Sequence, residues 1–236
     1  MKKQIMLLAI VLSGIFSMQA QEKQDTLSQS KQTTVTQTRR VTDWSEQPIG
    51  YVYGGIGVGH LVDTEEGTTS TGLDWRAGMS RYYNRWGWGV VLQQFTAWQD
   101  TYIPNGMQMI KIANTGRILY LAPQFTGRWV LGEKLTIYGA IGWGWLHYRE
   151  NANVKDYGQF NLKANTMGGN FSVGLEYRLG KRVGLSVDAG MVGGEIGKPK
   201  ANNAAIQEAI DETYTGKMDV SRLYATVGAH IYIWKH

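Results

Sequence analysis

Histidine, serine and carboxylate side chains are the groups best able to do chemistry in this sequence, and they are thinly spread. The 236 residues hold four histidines, His60, His147, His230 and His236, and no cysteine. No His-x-x-x-His pair or histidine–carboxylate cluster has the spacing of metal ligands, so no metal and no cofactor is expected. One grouping has the residue types for nucleophilic chemistry: His60 in the first apolar segment, with Asp219 and Ser221 at the start of the last. If those two segments pair, His60 is the base for Ser221 and Asp219 completes the set, which is the apparatus of acyl-ester hydrolysis. The plainer reading is a rim histidine and a Ser-Asp turn, and an enzyme is not expected. Gly-Gly-Ile-Gly-Val-Gly at 54–59 has the glycine density of a phosphate-binding loop. It lies within an alternating run with no helix after it, so the dinucleotide reading fails. These glycines read better as space for large neighbouring side chains and as points of sheet curvature.

The rest of the chain must position these groups. Lys2 and Lys3, the apolar run Ile5 to Phe16, and Ser17-Met18-Gln19-Ala20 read as a secretory signal over 1–20. The run of about 12 residues is too short against the ~20 that a membrane-spanning helix needs. Removing Lys2 and Lys3 leaves 22 basic against 19 acidic residues, a net +3 that is too mild to argue for nucleic acid. Without cysteine there is no disulfide framework and no lipoprotein anchor. Residues 21–49, rich in Gln, Thr, Ser and Lys, read as a polar leader.

From Gly50 onward, eight short alternating segments predict strands at 51–62, 71–84, 86–98, 116–130, 134–148, 167–180, 182–195 and 221–234. The connections alternate in length. Tight turns fall at 84–85, 131–134 and 180–182, and long loops are expected at 63–70, 99–114, 150–165 and 197–219. Ile206, Ala209 and Ile210 have helical spacing, which predicts a short helix in the last loop. Pro123 falls within the fourth segment, where it cannot donate a ladder hydrogen bond, so a bulge is expected there.

The alternation also divides two faces. Phe171, Val173, Leu175, Tyr177 and Leu179 share one, as do Val183, Leu185, Val187, Ala189 and Met191. The opposite face carries Asp74, Arg76, Arg128, Glu176, Arg178 and Asp188 among glycines and serines. Charges of both signs make a poor apolar core and a good interior for a narrow barrel, where they pair. The apolar face then points outward to lipid. Aromatic residues gather toward the segment ends, with Trp86, Trp88, Trp129 and Trp234 at one rim and Trp75, Trp98, Trp143 and Trp145 at the other. Tyr51, Tyr53, Tyr82, Tyr83, Tyr177 and Tyr232 are assigned to the first rim and Tyr148 to the second. Together they read as girdles at the two headgroup levels.

On these features residues 50–236 resemble the small outer-membrane β-barrel family, the eight-stranded OmpA/OmpX-like, porin-family group. The match rests on the signal peptide, the Gly- and aromatic-rich segments, the loop asymmetry and the amphipathic last strand, Leu223 to Trp234. The resemblance implies an all-β, closed, up-and-down antiparallel transmembrane barrel in a bacterial outer membrane, with both termini periplasmic. It implies outer-membrane lipids, lipopolysaccharide and the barrel-assembly machinery as partners. Family members end on an aromatic residue, whereas here Lys235 and His236 follow Trp234. The expected role is structural or surface-interacting, through long loops that meet a surface ligand or envelope protein, over a lumen plugged by paired charges. A narrow solute channel is the first alternative. An outer-leaflet lipid acyl hydrolase using Ser221, His60 and Asp219 is the second.

Overall fold

The computed structural model describes residues 47–62, 71–105, 108–154, 158–213 and 216–234. The signal, most of the leader and the loop at 63–70 lie outside them. Eight strands close one antiparallel barrel. They are β1 (Gly50–Leu61), β2 (Thr71–Tyr83), β3 (Trp86–Asn105), β4 (Gln108–Val130), β5 (Leu135–Val154), β6 (Gly158–Arg178), β7 (Val183–Gly193) and the last strand, β11 (Arg222–Ile233). Between β7 and β11 lie β8 (Glu195–Ile196), β9 (Lys200–Ala201), the helix α1 (Ala204–Thr213) and β10 (Met218–Asp219). Neighbours in sequence pair, β7 pairs with β11, and β11 returns to β1 with Gly50 opposite Ile233 and Leu61 opposite Arg222. The shortest barrel strand, β7, has 11 residues. At ~3.4 Å per residue and a tilt of about 40° it rises about 29 Å, enough for an apolar band of ~25 Å.

Turn chemistry sets the tight end. Asn84 has φ 59°, a left-handed conformation that asparagine tolerates, and the hairpin closes with Tyr83 opposite Trp86. The segment before β1 also belongs to this end. Ile49 donates to Ile233 O at 2.8 Å and accepts from Tyr82 N at 2.7 Å.

Two regions expected as loops are strands. Residues 99–105 and 108–114 continue the β3–β4 ladder as far as Asn105 opposite Gln108. Residues 150–154 and 158–165 continue β5–β6 as far as Val154 opposite Gly158. Apolar alternation fades there in the sequence, while backbone pairing persists. The expected bulge at Pro123 is absent. Pro123 stays in register with Val90. On its other side the pairs Leu121–Trp145 and Gln124–Gly142 bracket a two-residue gap of equal length on both strands. The missing N–H therefore interrupts the ladder without shifting it.

Large lumen side chains are accommodated opposite glycine. Tyr53 faces Gly78, Tyr138 faces Gly174 and Tyr224 faces Gly190 on adjacent strands. A Cβ at Gly174 would overlap the Tyr138 ring. We expect Gly174→Val to displace that ring and lower stability by about 1–3 kcal/mol. Urea unfolding in lipid vesicles checks this.

Candidate functional site

Strand parity sends one face of every barrel strand inward, and the inward residues carry the charge. At the loop end, Arg222 Nε donates to Asp74 Oδ2 at 2.9 Å, with neither side chain exposed. Gln93 Nε2 donates to the other Asp74 oxygen at 2.7 Å. One inward position along β2, Arg76 Nη1 reaches Asp188 Oδ1 at 3.1 Å. Asp188 also accepts from the Tyr138 hydroxyl at 2.5 Å and from Ser186 Oγ at 3.3 Å. Tyr53 and Tyr224 lie against the Arg76 guanidinium, 5.0 and 5.7 Å from ring centre to Cζ. Toward the turn end, His230 Nδ1 lies 2.5 Å from Glu176 Oε2, and the Tyr232 hydroxyl donates to Glu176 Oε1 at 2.7 Å. Tyr51 stacks on the His230 ring at 4.2 Å.

Two further arginines close the turn end differently. Arg128 donates to the carbonyls of Asn84 (2.9 Å) and Pro48 (2.7 Å) and lies over the Tyr82 ring. Arg178 donates to Gln47 Oε1 at 2.5 Å and lies over Tyr232 and Trp234. All six charged residues singled out from the sequence thus lie on the inner side. Asp74, Arg76 and Asp188 join ion pairs and Glu176 hydrogen-bonds with His230 and Tyr232, whereas Arg128 and Arg178 hold the incoming chain at 47–48.

Sequence reasoning missed Arg222 and His230, the partners of Asp74 and Glu176. Parity was the available signal: both alternate with Leu223 and Ile231, which point outward. Two cavities within the lumen, one lined by Tyr53, Arg76 and His230 and the other by Arg128, Glu176 and Arg178, offer about 10 Å³ each, the room of a single water. Near Arg222, both terminal guanidinium nitrogens, the Tyr120 hydroxyl and Gln93 Oε1 are buried without a partner. Such groups are costly when left dry, so this is where ordered water belongs.

The outward face is apolar around the whole wall. Val58, Trp143, Val187, Val227 and Ile231 are each more than half exposed. Trp86, Trp88, Trp98, Trp129, Trp143 and Trp145 are exposed on this face, and Trp75 is half-buried. Four residues assigned to the rim girdle, Tyr51, Tyr53, Tyr82 and Tyr232, are instead buried inside, because they share parity with the lumen. Tyr148 has inward parity and is half-buried. Trp234 also has inward parity, packs edge-on to Tyr232, and donates its indole N–H to Lys181 O at 2.5 Å.

The Ser/His/acid grouping is not assembled. His60 is exposed, with Nδ1 2.9 Å from Thr71 Oγ1. Ser221, expected beside it facing lipid, is buried, and its Oγ accepts from Gly194 N–H at 3.3 Å. Asp219 Oδ1 accepts from the Ser221 backbone N–H at 2.8 Å, which is turn capping rather than orientation of a base. The Ser221 hydroxyl is thus taken up by the segment that follows β7, while His60 Nδ1 lies against Thr71.

The loop-end elements are tied together. β9 pairs with β6, Leu162 opposite Ala201 and Lys163 opposite Lys200. The helix predicted in the last loop is α1. Lys198 bridges to Asp211 at 2.8 Å, and the hydrogen bonds of Lys198 and Gln207 hold the Asp211 carboxyl below the usual carboxylate range.

No family model matches the sequence, and no curated protein does. Solved structures are similar at low identity. Neisserial surface protein A is 12% identical over 78% of this chain and 97% of its own, with a TM-score of 0.44. Ail, the attachment invasion locus protein of Yersinia pestis, is 11% identical over 77% and 96%, with a TM-score of 0.44. The outer membrane protein OprG from Pseudomonas aeruginosa is 13% identical over 82% and 100%, with a TM-score of 0.49. None of these likenesses bears on what the barrel does.

Proposed function

We propose that this closed eight-stranded barrel is a bacterial outer-membrane protein with a structural and surface-interaction role. Its lumen is closed to solutes, its loop-end hairpins face outside the cell, and both termini lie on the periplasmic side. The observation that carries this reading is reversed polarity. Asp74 and Arg222 are fully buried while Val227 and Ile231 are about 60% exposed. A water-soluble barrel gains nothing from that arrangement, whereas a barrel in lipid requires it. Short turns at one end and long hairpins at the other support the orientation. Ion pairs spaced along the lumen, with two water-sized cavities among the described residues, support closure.

Two measurements test the parts separately. The folded protein should migrate faster on a gel before heating than after, and protease added to intact cells should cut the loop-end segments. Cutting only after the outer membrane is permeabilised would reverse the topology. In planar bilayers the purified barrel should give no sustained single-channel steps. A steady ion current would favour the narrow-channel reading.

A further inference from the structure

Four cations stand in one line across adjacent strands. Arg117 of β4 is directly opposite Arg149 of β5, Arg149 is opposite Lys163 of β6, and Lys163 is opposite Lys200 of β9. Directly opposite residues share a face, and at ~4.8 Å per strand the row is about 14 Å long. Arg117, Lys163 and Lys200 are exposed, and Arg149 is half-buried. Like charges directly opposite one another destabilise a sheet. Three such pairs in succession therefore call for a counter-charge, and among the described residues no salt bridge reaches any of the four. Arg149 Nε donates only to the neutral Asn151, at 3.2 Å. The nearest acid in sequence, Glu150, alternates to the other face and accepts from the Tyr148 hydroxyl.

The same face continues down the wall. Next below is His147, whose ring stacks on Trp145 at 5.4 Å. Trp145 lies between Leu121 and Met167 on the flanking strands, and all three point outward. Cations thus lie about 14 Å along the strands from an outward apolar shelf, with an aromatic–imidazole step between them. A free polyanion would have no use for the shelf. An amphiphile with a phosphorylated head fits both parts.

We propose that this row docks the phosphate-bearing headgroup of an anionic outer-leaflet lipid, whose acyl chains lie along Leu121, Trp145 and Met167. The proposal rests on the membrane reading and orientation above. The test uses the full-length protein in phosphatidylcholine nanodiscs containing bisphosphorylated lipid A, with retained lipid counted by native mass spectrometry. An R117Q/R149Q/K163Q variant should retain about tenfold less lipid A than the parent. A K134Q/K181Q/R182Q variant, which removes as much charge at the turn end, should match the parent. Dephosphorylated lipid should be retained no better by the parent than by the row variant, and inorganic pyrophosphate should not displace lipid A. Undiminished retention by the row variant overturns the proposal. Displacement by pyrophosphate also overturns it, in favour of a soluble polyanion. Heat-shifted migration establishes that each variant is folded. Single R117Q and K163Q variants, each expected to lose part of the retention, give the same test should the triple variant fail to fold. A barrel that inserts but shows no preference for phosphorylated lipid sinks this proposal alone. A chain that does not insert sinks the membrane reading as well.

Discussion

Asp188→Ala lowers the unfolding free energy of the barrel in lipid vesicles by about 3–5 kcal/mol, the usual cost of stranding one partner of a buried ion pair. Asp188 accepts from Arg76, Tyr138 and Ser186 within the lumen, and its side chain is 4% exposed. Removing it leaves the Arg76 guanidinium in an enclosed space with only the Tyr53 and Tyr224 hydroxyls, each at 3.5 Å, to bond to. The next carboxylate, Asp74, is already engaged by Arg222. Asp188→Asn keeps the volume and one acceptor, so it should lose less. The Arg76→Met/Asp188→Leu double variant should lose less than the sum of its single variants, because it leaves no charge unpaired. A drop below about 1 kcal/mol for Asp188→Ala would mean that water reaches the pair freely and that the lumen is open there.

The architecture was legible because strand alternation records which side of the wall each residue faces. Asp74, Arg76, Glu176 and Asp188 could be placed inside from parity alone. Their partners were harder to find. Arg222 opens a strand directly after a turn, and His230 is a single polar ring in an otherwise small and apolar run. Neither stands out until the strand is wrapped against β1 and β7. Closure also decides who meets whom: Arg76 and Asp188 are 112 residues apart, and only the circular strand order brings them within 3.1 Å. The lumen tyrosines were misplaced for a related reason. Aromatic rings near strand ends suit a lipid headgroup level, but Tyr51, Tyr53 and Tyr232 sit one residue out of phase with Val52 and Ile231. A single step in a strand exchanges inside for outside. The strand extensions over 99–105, 108–114, 150–154 and 158–165 were missed because hydrophobic alternation reports one-sided burial, whereas backbone pairing continues without it. Asn105-Gly106, between Thr101-Tyr102-Ile103 and the run Met107 to Ile112, was the hairpin signal that remained.

The second large effect comes from the outer wall. Val227 lies mid-strand in β11, opposite Ile56 of β1 and Val187 of β7, and all three point outward. On a water-soluble barrel, arginine at a position 60% exposed would be close to neutral, within about 0.5 kcal/mol. At the middle of a bilayer the same side chain must drag its charge toward a headgroup or bring water in, at a cost of about 2–4 kcal/mol. Arg182, already at the turn end, provides the internal comparison. A lysine there in its place should change stability by only a few tenths of a kcal/mol, because the charge stays in water.

Reversed polarity is the central claim, and Val227→Arg addresses it most directly. The measurement is equilibrium unfolding of the parent and the variant in the same lipid vesicles, followed by tryptophan fluorescence. A loss of about 2–4 kcal/mol is the predicted result. A change within about 0.5 kcal/mol would show that Val227 faces water, and it would contradict the membrane reading of the barrel.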